Sequence, residues 1–185
     1  SIQDSAGTKI GVSDFPINDS VADLSEYVDT DLSRSFVPGE SYWTQGLGVH
    51  GTKVASIAAA GTDDTVNIAS LANLPKNHAG KLIVALRTLS GDPTSLPDSL
   101  QQRAQRALAY VSSSLGGVVR VVNHSWGGPL CKGSLNYPQT LRDAFRNAFL
   151  SDISLVTASG NEGACNPTCT QVGDTCFAYP AAFPD

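Results

Sequence analysis

Residues 98–122, with the sequence DSLQQRAQRALAYVSSSLGGVVRVV, contain the pattern that decides the fold class. Apolar side chains recur at helical spacing from Leu100 to Leu115, which predicts an amphipathic helix over Asp98–Leu115. Two glycines follow, and Val118–Val122 is then a short, nearly continuous apolar run, typical of a strand buried on both faces. A helix followed closely by such a strand favours an α/β domain with a parallel sheet.

The same alternation continues on both sides of this stretch. Further strands are predicted over Lys9–Val12, Leu82–Leu86 and Ser154–Thr157, and further helices over Gly51–Ala60 and over the periodic run from Leu141 to Phe149. The order of strands and helices predicts an α/β domain with a mainly parallel sheet flanked by helices. Ligands bind such sheets beyond the carboxyl ends of the strands, so the residues that follow each strand are the candidates for a functional site.

Composition excludes several classes of protein. The 185 residues suffice for one domain with a hydrophobic core, and 16% of them are charged, against about 25% in an average globular protein. The net charge is −5 and the sequence has no basic patch, which argues against a nucleic-acid partner. No apolar run approaches the roughly 18 residues of a membrane span. No signal-peptide pattern follows Ser1, so we expect a processed or excised chain.

All four cysteines lie in the last third of the chain, at Cys131, Cys165, Cys169 and Cys176. An even, clustered count favours one or two disulfides and hence a secreted or extracytoplasmic location, with free thiols as the alternative. The gaps between them do not supply the paired C-x2-C spacing of a zinc site. Four cysteines allow three pairings, and the sequence does not choose among them.

Polar residues stand where several predicted elements begin or end. Asp14 follows the first strand, where a carboxylate can orient an imidazole, although Asp is also a common turn residue. His50 begins a helix of small residues, and a helix N-terminus favours the neutral imidazole that a general base needs; a simple helix-capping role is the alternative. Asn161 follows the strand Ser154–Thr157 on a glycine-flanked turn, from which its amide can donate to an oxyanion. The glycine-rich segment after Val122 offers backbone groups to an extended peptide.

Together these segments resemble the subtilisin-like serine peptidases. The blocks that carry the resemblance occur in the family's order: Ile10–Leu24, Val49–Ala55, Val122–Gly128, Ala158–Gly163 and Tyr179–Pro184. Val-His-Gly-Thr-Lys-Val-Ala at Val49–Ala55 closely matches the family's His block, and Ala158–Gly163 is similar to its oxyanion-Asn block. The resemblance covers nearly the whole chain and implies a three-layer domain with a mainly parallel sheet between helices.

The resemblance implies a role for each block. Asp14 would stabilise the imidazolium of His50, which would act as general base and then general acid, and Asn161 would donate to the oxyanion. Two segments would flank the S1 pocket and pair with a protein or peptide substrate: Ser125, Trp126, Gly127 and Gly128, and Ala158, Ser159 and Gly160. The implied activity is that of a serine endopeptidase that requires no cofactor. Many members bind Ca²⁺, but no loop here has convincing ligand spacing, so calcium stays unassigned.

The chain departs from the family pattern at the nucleophile. The family's serine lies in a later Gly-Thr-Ser-Met-Ala block, whereas this chain has no methionine and its Gly-Thr pairs are followed by Lys9, Lys53 and Asp63. We therefore expect residues 1–185 to be the N-terminal portion of one peptidase domain, truncated or split before the serine helix. A second polypeptide would carry the serine, and this chain alone is predicted to be inactive. Without that segment, the sheet is expected to expose an apolar edge and a helix-packing face.

An inactive relative that binds peptides or a partner is the alternative. It is favoured by Phe15 and Pro16, which replace the family's Thr-Gly after the Asp, and by Lys53, which replaces the second His. The retained Asp14, His50 and Asn161 favour the peptidase. Ser125 is a poor nucleophile of the α/β-hydrolase type, because that motif needs a Gly in place of Asn123 and a His after the Ser.

Overall fold

The computed structural model describes residues 8–45, 49–62, 69–75, 80–91, 96–131, 139–160 and 176–181. These ranges contain three helices, with the bounds α1 His50–Ala59, α2 Leu100–Ser114 and α3 Gln139–Leu150. The strands are β1 Lys9–Asp14, β2 Arg34–Ser35, β3 Gly61–Thr62, β4 Leu74–Pro75, β5 Ile83–Arg87, β6 Val119–His124, β7 Gly128–Cys131, β8 Ser154–Thr157 and β9 Cys176–Tyr179.

The main sheet has five strands in the order β2-β5-β1-β6-β8, and every neighbouring pair is parallel. Side chains alternate between the two faces of each strand, which divides the core in two. Val12 and Ala85 pack against the small side chains of α1, whereas Leu86 and Val122 pack against α2 and α3. The predicted three-layer α/β architecture, with a parallel sheet flanked by helices, is confirmed.

The predicted strands and helices are all present, with ends that differ by at most two residues. β1 and β6 both continue two residues beyond their apolar runs, because each is paired on both sides, as Ser13 is with Leu86 and His124. Asp14 and His124 are therefore the last residues of strands rather than the first residues of loops. The short strands β2, β3, β4, β7 and β9 were not predicted.

Helix α2 begins at a capping box and secures the end of β5. Ser99 Oγ accepts from the Gln102 N–H at 3.3 Å, and Gln102 Oε1 accepts from the Ser99 N–H at 2.9 Å. Arg103, one residue along and buried, donates through Nε to the carbonyl of Thr88 at 2.7 Å. Within the described ranges, no helix is long and apolar enough to cross a membrane.

One face of the sheet is only half covered. Val12, Asn123 and Val156 are register partners on β1, β6 and β8, so their side chains share the face on which α1 lies. Val12 is buried under α1, but Asn123 is half-buried and Val156 is 51% exposed. The structure therefore exposes apolar surface on β8, beside α1.

Candidate active site

Asp14 and His50 meet at the carboxyl end of the central strand. Asp14 is fully buried at the end of β1, and His50 is the first residue of α1. The imidazole Nδ1 lies 2.8 Å from Asp14 Oδ1 and 3.0 Å from Oδ2. Because an ionised carboxylate only accepts hydrogen bonds, this contact places a proton on Nδ1 and leaves Nε2 of the neutral ring as an acceptor.

The surroundings of Asp14 act on its pKa in opposite directions. Burial raises the pKa of Asp14 above its usual value, while the hydrogen bonds from His50 and from the Phe15 N–H at 2.6 Å, and the charge of His50, lower it. Burial has the larger effect, so the pKa is raised overall. The backbone carbonyl of Asp14 accepts from the N–H groups of Thr88 and Leu89 at 3.0 and 3.2 Å, which fixes the strand end.

Close backbone packing sets the position of His50. A Cβ added to Gly51 would lie 2.2 Å from the carbonyl oxygen of Phe15, so only glycine allows α1 to approach this segment. At the next residue, Thr52 Oγ1 accepts from the Asn18 N–H at 2.8 Å. The ring of Phe15 meets the His50 imidazole edge to face at 6.4 Å between centroids. The Phe15-Pro16 replacement is therefore compatible with the Asp14–His50 contact.

The two candidate substrate segments lie side by side at the same edge of the sheet. They follow the neighbouring parallel strands β6 and β8, and the Ala158 N–H donates to the His124 carbonyl at 3.1 Å. Ser125 and Ala158 are half-buried, and Ser159, Gly160 and Gly127 are exposed. Gly160 has φ +99°, a conformation that favours glycine. Asn161 lies outside the described residues.

A sequence profile described as the Subtilase family matches residues 5–184. The chain belongs to the subtilase family. It is 32% identical over 178 residues to subtilisin DY of Bacillus licheniformis, covering 96% of this chain and 54% of that protein. It is 33% identical over 144 residues to thermitase of Thermoactinomyces vulgaris, covering 72% of this chain and 47% of that protein. The chain thus spans about half the length of these relatives.

Solved structures support the fold of this subtilase. The MycP3 protease from the type VII (ESX-3) secretion system superposes with a TM-score of 0.66 at 22% identity, covering 95% of this chain and 50% of that one. The epidermin leader peptide processing serine protease (EpiP) of Staphylococcus aureus gives 0.65 at 18% identity, covering 96% and 45%.

In this subtilase, Trp126 and His124 occupy the core rather than the cleft. Trp126 is only 8% exposed, and its side chain packs with Phe145 of α3 in the core on that side of the sheet. His124 is fully buried between Trp126 and Phe145, and neither ring nitrogen has a hydrogen-bond partner. Burial lowers the pKa of His124 to about 3, so its ring is neutral.

The sequence reasoning missed contacts that position the site in this subtilase. The Phe15 N–H on Asp14 is a backbone contact without a sequence signal. Ser13 Oγ accepts from Trp126 Nε1 at 3.1 Å and lies 3.0 Å from Thr88 Oγ1. The sequence signal for this contact was a serine directly after the apolar residue Val12 in a predicted strand.

Metal and disulfide predictions remain largely outside what the structure describes. No group of three or more His, Cys, Asp or Glu side chains that could hold a metal ion occurs among the residues described. The described residues do not include Asp63, Asp64, Cys165 or Cys169. The backbones of Cys131 and Cys176 are register partners in the antiparallel pair β7–β9.

Proposed function

We propose that this chain is the Asp- and His-bearing portion of a secreted subtilisin-like serine endopeptidase whose nucleophilic serine lies on a segment outside residues 1–185. The observation that carries the proposal is the contact of Nδ1 of His50 with both carboxylate oxygens of buried Asp14, at 2.8 and 3.0 Å. The side chain of His50 is 52% exposed, so Nε2 is accessible to a reacting group.

In the proposed mechanism, Nε2 of His50 takes the proton from the serine hydroxyl as the oxygen attacks the scissile carbonyl. Asp14 holds the ring in the tautomer that leaves Nε2 free and stabilises the imidazolium that forms. The imidazolium then gives its proton to the leaving amine, and water repeats the sequence on the acyl-enzyme. The side-chain amide of Asn161 donates to the oxyanion; in subtilisin, loss of such a donor lowers kcat about 10²–10³-fold.

Exposed apolar side chains near His50 support the proposal that a serine-bearing segment packs on this surface. On α1, Val54 is half-buried and Ile57 is 54% exposed, one and two turns beyond His50 along the same helix. Val156 of β8 is exposed on the same side of the sheet. We propose that the remaining part of the domain packs in this surface, which is named here the α1–β8 groove and consists of Val54, Ile57, Asn123 and Val156. The subtilases matched are about twice as long as this chain, which is enough for such a segment.

The proposed substrate is an extended peptide. Segments 125–128 and 158–160 would pair with its backbone by β-augmentation, with the peptide chain running past His50. Their small, partly exposed residues at the sheet edge leave room for a side chain between them. The clustered cysteines favour an oxidising compartment, so we propose a secreted or extracytoplasmic location.

The test uses the complete protein that contains this chain and a set of fluorogenic peptides. We expect hydrolysis that a serine-directed fluorophosphonate abolishes, and an Asp14→Asn variant with kcat lower by about 10⁴-fold, because the amide favours the wrong imidazole tautomer. Asp152→Asn is the matched control. The side chain of Asp152 is 87% exposed, and the residue lies two positions before β8 begins, at the end of that strand opposite the site. A complete protein that binds peptides but neither hydrolyses them nor reacts with the reagent would instead be the inactive relative favoured by Lys53 and Phe15.

A further inference from the structure

A buried hydrogen bond joins the first candidate substrate segment to the strand that ends in Asp14. Residues 125–127 lie outside regular secondary structure, so the β-sheet ladder does not hold them. Trp126 Nε1, the only polar atom of that side chain, donates to Ser13 Oγ at 3.1 Å. These two residues are 113 positions apart in the sequence, and both are buried. The contact thus fixes an irregular segment against the most central strand.

Ser13 also contacts Thr88, the residue that directly follows β5. Its Oγ lies 3.0 Å from Thr88 Oγ1, and Thr88 is fully buried. If Trp126 donates to Ser13 and Ser13 donates to Thr88, the indole hydrogen and the Ser13 hydroxyl hydrogen both have acceptors within the core. The Thr88 N–H in turn donates to the Asp14 carbonyl at 3.0 Å.

The hydrogen bonds among Trp126, Ser13 and Thr88 lie on the face of the sheet opposite the Asp14 side chain and do not involve the reacting groups. Ser13 is the register partner of Leu86 and His124, which face α2 and α3, whereas the side chain of Asp14 points to the opposite face, towards α1. Loss of the indole hydrogen bond therefore leaves the Asp14–His50 contact in place. What it frees is the irregular part, residues 125–127, of the segment whose backbone is proposed to bind the peptide.

We infer that Trp126 is a positioning residue: through Ser13 and Thr88 its indole N–H fixes the peptide-binding segment 125–128 relative to the strand that carries Asp14. This inference rests on the proposed endopeptidase function for its effect on substrate. Trp126 differs from the other residues of that segment, because its side chain lies in the core and its hydrogen bond affects substrate binding.

The first experiment observes the hydrogen bond directly, in the complete protein labelled with ¹⁵N. Trp126→Phe assigns the indole N–H resonance by its disappearance. We expect Ser13→Ala to move the Trp126 indole proton upfield, because its acceptor is lost, and to leave the resonance of Trp43 unmoved. An unmoved Trp126 resonance in Ser13→Ala would overturn the inference.

The second experiment measures the effect on peptide hydrolysis. We expect Trp126→Phe and Ser13→Ala each to raise KM about 2- to 10-fold, the range of a single net hydrogen bond, with a smaller change in kcat. The double variant should be no worse than either single one, because both remove the same contact. Trp43→Phe, the same chemical change at a residue 43% exposed, is the matched control and should leave KM unchanged.

The two experiments separate the inference from the proposed function. A role in stability alone would lower the melting temperature and the amount of active enzyme without raising KM, and additive effects in the double variant would show that the two side chains act independently; either result overturns the inference. If the unsubstituted protein hydrolyses no peptide, the proposed function fails, and the indole shift still decides whether the connection exists.

Discussion

Asp14 is a carboxylate that the fold has almost completely removed from water. Its burial raises the pKa, and the compensation comes from His50 and from the Phe15 N–H. A buried carboxylate with so few donors interacts strongly with the group that faces it, since little solvent screens the contact. The residue is therefore suited to stabilise a cation that forms on His50 and to select the tautomer of the neutral ring.

His124 makes stability depend on pH. Its folded-state pKa is about 3, whereas an unfolded histidine has about 6.5, so the unfolded chain binds one more proton between these values. Stability is therefore complete above about pH 6.5 and falls as the pH is lowered towards 3. Between pH 7.5 and pH 5 this residue accounts for a loss of about 2 kcal/mol.

Urea unfolding of the native protein and of His124→Leu at both pH values measures this contribution. We expect the variant to lose about 2 kcal/mol less than the native protein between pH 7.5 and pH 5. All other side chains are the same in both proteins, so their contributions cancel in the comparison. Equal losses in the two proteins would show that His124 does not stay neutral in the folded state.

At the scale of elements, the start of α1 depends on a single glycine. In Gly51→Ala the new Cβ would overlap the Phe15 carbonyl, and backbone cannot move aside as a flexible side chain can. We expect a loss of about 1–3 kcal/mol, the usual cost of overpacking, together with displacement of His50 from Asp14. Gly91→Ala is the control, because an added Cβ there meets nothing within 4 Å. Thermal unfolding checks the prediction; equal melting temperatures for the two variants would contradict it.

The β7–β9 ribbon predicts which cysteines pair. Cys131 and Cys176 are Cα partners in an antiparallel register, in which facing Cα atoms lie about 4.5–5.5 Å apart, within the range of about 4.4–6.8 Å that disulfides span. We predict one Cys131–Cys176 disulfide, formed by exchange with a disulfide-bearing oxidant. The two thiols give up two electrons and two protons, and the oxidant is itself reduced to two thiols.

Peptide mapping by mass spectrometry without reduction checks this pairing. We expect one cross-linked peptide that contains Cys131 and Cys176, which leaves Cys165 and Cys169 for each other. The alternative pairings of Cys131 with Cys165 or Cys169 would contradict the register argument. Reduction before digestion, as a control, should separate the peptides.

The elements that could be predicted are those whose pattern is local. The helical spacing in α2 and the apolar runs of β1, β5, β6 and β8 are visible in a few consecutive residues, and all of these elements are present. The strands β2, β3 and β4 have two residues each and exist only through their pairing partners, so no local pattern marks them.

The candidate site likewise has parts that a local sequence pattern predicts and parts that only the fold creates. Asp14 and His50 were predicted from short blocks, and the structure brings them into contact. The connection from Trp126 to Ser13 could not be predicted, because it depends on how β1 and β6 pair across 113 positions of sequence. The same holds for the contact of Gly51 with Phe15, which only the fold creates.

In the part of the chain that the structure describes, α2 and α3 cover one face of the parallel sheet, and α1 covers the other face over β1 and β5. Apolar side chains exposed on β8 and α1 border the half that is uncovered. His50, whose side chain is 52% exposed, is the first residue of the helix that contributes Val54 and Ile57 to the α1–β8 groove. Under the proposed function, the serine-bearing segment packs on this surface and completes the site.

A charge placed in the α1–β8 groove tests that arrangement. In the complete protein we expect Val156→Arg to lower peptide hydrolysis at least tenfold, because a buried, unpaired charge would oppose docking of the serine-bearing segment. Phe149→Arg is the control, because Phe149 is 68% exposed and lies on α3, behind the opposite face of the sheet. Equal activities of the two variants would show that the groove is not covered.

The proposed serine mechanism is tested by labelling the native protein with a serine-directed fluorophosphonate and locating the label by denaturing mass spectrometry and peptide mapping. We expect one label on a serine of a Gly-Thr-Ser block outside residues 1–185, with the labelling lost in His50→Ala and residues 1–185 unmodified. A label on a serine within residues 1–185, or labelling that persists in His50→Ala, would contradict it.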